Sequence, residues 1–99
     1  MAANDRFQEW NANDDREDRS DHTAAVIDEI RDERERQITL WSDDHDDAKN
    51  HRDWVVLLGQ RLDQCIHGDP VIYRQQLVRL AATAAAAIEA FDRKATKTR

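Results

Sequence analysis

The sequence predicts an all-α fold: a three-helix unit of one short and two long amphipathic helices that assembles as a helical bundle, preceded by a flexible acidic arm. Three observations lead there. Two glycines and one proline in 99 residues are too few for the turns of a β protein. Apolar residues recur three and four apart from Ile27 onward, the period of a helix with one buried face. Helix-boundary residues stand at Asn50 and in the run His67-Gly68-Asp69-Pro70.

Residues 1–22 are rich in Asn, Asp, Glu and Arg without a sustained apolar period, which marks a flexible acidic arm. Phe7 and Trp10 have the i,i+3 spacing of a helical turn that docks in a groove. The folded domain is expected over residues 23–95, with a frayed basic tail at 96–99. Its first helix starts at an N-capping Thr23 and runs to about Trp41, burying Ile27, Ile30, Ile38 and Trp41, with Arg34 interrupting the stripe. The run DERER at 32–36 mixes signs at short spacing and reads as its solvated face.

A second helix opens at Asn50 with Asp53 three residues later, a capping pair. It presents Trp54, Leu57, Leu58, Arg61, Leu62, Cys65 and Ile66 on one broad face, with Gly59 as a weak point. Gly68 is the expected left-handed residue that closes it, and Asp69-Pro70 opens the third helix with an N-cap and an N1 proline. That helix runs to about Lys94, and its predicted buried stripe is Tyr73, Leu77, Leu80, Ala81, Ala84, Ile88 and Phe91. Its alanine tract at 81–87 admits a neighbouring helix at close range. Ala81, Ala84, Ala85 and Ile88 are therefore the candidate oligomer-packing residues.

Charge and composition exclude several function classes. A net charge of -6 disfavours direct nucleic-acid binding, which needs a concentrated basic face, and favours a partner with a basic surface. No stretch approaches the roughly 20 apolar residues of a membrane span. The first residues carry neither a basic leader nor an apolar run, and Cys65 has no second cysteine to pair with. The expectation is a cytoplasmic protein, and so small a domain is expected to self-associate or bind a partner.

The segment WSDDHDDAKNHRDW at 41–54 holds the densest set of ligand-type side chains. Asp44, Asp46 and Asp47 with His45 are the alternative metal ligands, since magnesium takes converging oxygens. An EF-hand does not fit. Counted from Asp44, the sixth position is Lys49 instead of glycine and the twelfth is Val55 instead of glutamate. His45 and His51 are six apart, outside zinc spacing. The structural alternative is that Asp43 to Asp47 precede a helix whose N-terminus favours negative charge, while Trp41 and Trp54 clamp the turn. Cys65 and His67, two apart, point about 200° away from each other on a helix and make no nucleophile and base pair.

Taken together, ERERQITLWSDDHDDAKNHRDW, WVVLLGQRLDQ and YRQQLVRLAATAAAAIEAFDR resemble small phage and prophage proteins related to the MazG-like nucleotide pyrophosphohydrolases, over roughly residues 28–93. The resemblance implies a dimeric or larger all-α bundle in which acidic motifs on two helices hold magnesium against a nucleoside triphosphate. The first motif, E-E-x-x-E, falls on or beside Gly59, Gln60, Arg61, Asp63 and Gln64, where one carboxylate remains. The second, E-x-x-D, falls on Gln76 and Arg79, where none does. From Trp54 to Ala87 the only acids are Asp63 and Asp69.

The leading expectation is therefore a non-catalytic phage-type interaction protein without a cofactor. It would act as a homo-oligomer and inhibit a host or defence protein through Trp10, Trp41, Asp43, Asp44, Asp46 and Asp47. One alternative is a divergent pyrophosphohydrolase whose magnesium site is rebuilt from Asp44, Asp46, Asp47 and His45, or from Glu29 and Glu33 of the first helix. The other is a purely structural homo-oligomer.

Overall fold

Residues 14–40 contain no glycine or proline and carry opposite charges at helical spacing, so nothing in the chain interrupts a long helix there. The computed structural model describes the backbone of residues 14–97 and the side chains of 19–96. It consists of α1 (Asp14–Leu40), α2 (Asp43–Asp47), α3 (His51–Asp63) and α4 (Pro70–Lys97), and the described residues form no strand. Helix α1 is already formed at Asp14, the first described residue and nine residues before the expected Thr23, so residues 14–22 of the expected arm are helical. Along α1, Arg36 donates to Glu33 at 2.9 and 2.6 Å and Arg31 to Asp28 at 3.5 Å, pairs that support an exposed helix.

The boundaries of the next elements follow from their caps. Ser42 has extended backbone, and its hydroxyl accepts from the His45 N–H, which starts the short α2. Asn50 and Asp53 form a reciprocal capping box: the Asn50 side chain accepts from the Asp53 N–H at 2.8 Å, and the Asp53 carboxylate accepts from the Asn50 N–H at 3.0 Å. The end of α3 corrects the expectation. The helix stops at Asp63, and Gly68 does not have a positive φ. Instead the chain tightens through i to i+3 bonds, Cys65 N–H to Leu62 and Ile66 N–H to Asp63, which satisfy late carbonyls without a left-handed residue. Helix α4 starts as expected, with the Asp69 carboxylate accepting from the Val71 N–H at 2.8 Å.

Helix α4 is the spine, with α1, α2 and α3 each packed on it. Its inward stripe is Ala82, Ala86 and Ala90 with Thr83, all buried. Trp54 of α3 packs on Ala86 and Ala90, with Leu57 and Ala87 beside them. The predicted stripe is thus displaced around the helix. Ile88 is 62% exposed and Phe91 56%, while Ala81, Ala84 and Ala85 are half-buried. A second correction falls on α1: among the described side chains Arg34 and Gln37 are its buried residues, whereas Ile27, Ile38 and, just past its end, Trp41 are exposed. The inner face of α1 is polar because it meets polar groups of α2 and α4. The radius of gyration is 17.1 Å, against about 13 Å for a compact domain of this size.

Candidate functional site

Where α1 ends and α2 turns back, the chain places Trp41 and Trp54 on the wall of one cavity of about 160 Å³. Helix α1 contributes Arg34 and Gln37, α3 contributes Leu57 and Arg61, and α4 contributes Thr83 and Ala86 to its floor. The Trp41 ring stacks on His45, with centroids 6.3 Å apart and planes 21° apart. Lys49 lies over the Trp54 ring, 5.0 Å from its centroid, a cation–π arrangement. Polar groups on the floor are paired: the Gln37 amide donates to Thr83 at 3.5 Å, and the Thr83 hydroxyl donates to the Arg79 carbonyl at 2.8 Å.

Asp43, Asp46 and Asp47 of the 41–54 segment are engaged from within the chain. Asp46 is buried, with Arg34 at 3.7 Å and Lys49 at 3.5 Å. Asp47 accepts two bonds from Arg93, at 3.0 and 2.8 Å, and Asp43 stands 3.8 Å from the same guanidinium. The hydrogen bond to Asp47 is the main reason that the Arg93 guanidinium is held above its usual range. Asp44 is exposed in the first turn of α2, where its charge faces the positive end of the helix. Lys94 donates to the Lys49 carbonyl at 2.7 Å. The segment is therefore a clasp that ties the α1–α3 turn to α4. Among the described residues no three His, Cys, Asp or Glu side chains converge as a metal would need.

Glu29 and Glu33, the other acids considered for a rebuilt metal site, are also held by arginines. Arg74 donates to Glu29 at 2.6 and 2.7 Å, and its hydrogen bond keeps the Glu29 carboxyl below the ordinary glutamate range. The hydrogen bond from Arg36 does the same for Glu33. Trp10 lies outside the described residues. Cys65 is buried, and its thiol donates to the Arg61 carbonyl at 3.5 Å.

Arg61 behaves differently from the other cations of the cavity. Its guanidinium donates to the Gln64 amide oxygen at 3.3 Å, and among the described residues it meets no carboxylate and its Nε is buried without an acceptor. Gln76 Oε1 on α4 is likewise buried without a donor. In the sequence Arg34 reads only as an interruption of the apolar stripe, and nothing there gives Arg93 or Glu89 a role. One signal was available: a lone arginine between the isoleucines of α1, on the side read as apolar, calls for a buried counter-charge. No family model, curated protein or solved structure matches this chain.

Proposed function

We propose that the protein is a non-catalytic helical interaction module that works as a self-associated bundle. The observation that carries this reading is the imbalance of its apolar surface. Trp54 is the one large apolar side chain buried among the described residues, whereas fourteen large hydrophobics are more than a third exposed. Tyr73, Leu77, Ile88 and Phe91 on α4 are among them, at spacings that set them along one side of the helix. A second copy packed there would bury the stripe beside the half-buried Ala81, Ala84 and Ala85.

The non-catalytic part rests on the acids. Glu29, Glu33, Asp46 and Asp47 are each bonded or paired to a cation of the same chain, and a magnesium site would have to break those pairs. The resemblance to phage proteins adds the more specific form, an inhibitor of a host or defence protein with a basic surface. Such a partner would meet Asp44 and the outer face of α1, where Asp32 and Glu35 are exposed.

Sedimentation velocity tests the reading directly. The wild-type chain is expected to sediment as a dimer or larger species, and Ile88→Asp with Phe91→Asp to release monomer that keeps its helical circular dichroism. A wild-type monomer at high micromolar concentration would refute self-association. Magnesium-dependent release of pyrophosphate from a nucleoside triphosphate would refute the non-catalytic reading.

A further inference from the structure

We infer that the cavity between Trp41 and Trp54 binds a small single-ring aromatic carboxylate, with the ring against the tryptophans and the carboxylate on Arg61. Charge is the first argument. The chain carries a net charge of -6, yet among the described residues this cavity is lined by Arg34, Lys49 and Arg61 against one acid, Asp46. Asp46 lies between Arg34 and Lys49, and Glu89 also neutralises Arg34. Among the described residues, Arg61 is left with a positive charge and no counter-carboxylate.

The second argument is the guanidinium fork. Arg61 lines the cavity, and among the described residues its hydrogen-bond acceptor is the neutral Gln64 amide oxygen, which leaves the stronger charge-assisted bonds of the fork to be made. A carboxylate is the planar anion that a guanidinium fork accepts best. Size supplies the third argument. The cavity measures about 160 Å³, and an apolar cavity of about 150 Å³ holds one benzene. Its walls include Trp41, Trp54, Leu57 and Ala86, which give a ring apolar and aromatic contact beside the charged groups of the same lining. A nucleotide would fill this space with its base and leave sugar and phosphate outside it.

Calorimetric titration with sodium benzoate, benzamide and adenosine monophosphate tests the assignment on the full-length protein. Benzoate is expected to bind, with benzamide at least about tenfold weaker, because the amide keeps the ring and loses the charge-assisted bond. Arg61→Met is expected to weaken benzoate about tenfold while leaving the thermal midpoint in place, and Arg61→Lys, which keeps the charge, to recover part of that loss. No heat from benzoate up to about 10 mM, equal binding of benzamide, or undiminished binding by both Arg61 variants would overturn the proposal. Tighter binding of adenosine monophosphate than of benzoate would overturn the single-ring assignment. The titration is read independently of the sedimentation experiment, so neither result decides the other.

Discussion

Arg34 of α1 and Glu89 of α4 meet through two hydrogen bonds, Nε to Oε2 at 3.2 Å and Nη2 to Oε1 at 3.0 Å. The same guanidinium lies 3.7 Å from Asp46 of α2, so one buried cation ties three helices together. This side of the molecule is joined by ion pairs because the neighbouring surface of α4 is alanine, which offers close approach but little apolar area.

Replacing Arg34 with Met tests how much that junction contributes. Its side chain is 9% exposed and that of Asp46 is 11%, so the variant leaves a buried carboxylate with Lys49 alone. The expected loss is about 3 kcal/mol, read from urea unfolding. Glu89→Gln should cost less, about 1 kcal/mol, because Glu89 is half exposed and water replaces part of the interaction. The reverse order would place the weight of the junction on Glu89.

Helix α3 permits two changes of opposite sign. Asn50→Ala removes one arm of the capping box and is expected to destabilise by about 1 kcal/mol. Gly59 lies inside the helix, and a Cβ there meets nothing within 4 Å, so Gly59→Ala is expected to stabilise by about 1 kcal/mol. Thermal melts of both variants check the signs. A destabilising Gly59→Ala would mean that a neighbouring molecule approaches the α3 backbone.

How far the sequence could be read depends on whether the signal is local. The caps at Asn50 and Asp69 were legible because donor and acceptor lie within three residues of each other. The all-α class was legible for the same reason, since periodicity and scarce glycine act along the chain. The inward face of α4 was not. Positions 81, 82, 84, 85 and 86 are all alanine, so adjacent faces look equally apolar, and only Trp54 packing on Ala86 and Ala90 selects between them. The cavity is harder still to see, because its residues come from α1, α2, α3 and α4 and meet only after folding.

That displaced face gives a direct comparison between two alanines. Ala86 is 4% exposed against Trp54, so Ala86→Leu is expected to cost about 1–3 kcal/mol by forcing α3 away. Ala84 is half-buried, so Ala84→Leu is expected to cost less in unfolding and to show its effect on sedimentation. Equal losses in a urea titration would place Ala84 in the intramolecular core after all.

Acid should loosen the junction between α1 and α4 before the helices themselves melt. Arg74 holds the Glu29 carboxyl below its ordinary value, and Arg36 does so for Glu33. A carboxyl whose folded pKa is depressed contributes stability that is fully present above its unfolded value, about 4.3, and is lost as pH falls through the folded value. The wild-type urea midpoint is therefore expected to drop more between pH 6 and pH 3 than that of Glu29→Gln with Glu33→Gln, which has no such protons to take up. The Glu29–Arg74 pair joins α1 to α4, whereas Glu33–Arg36 lies within α1. Glu29→Gln alone should then account for the larger part of the difference that involves tertiary structure, with Glu33 adding a smaller part through the charge of Arg79 on α4. Parallel midpoint shifts in all three proteins would show that folding leaves the proton affinity of these two carboxyls unchanged.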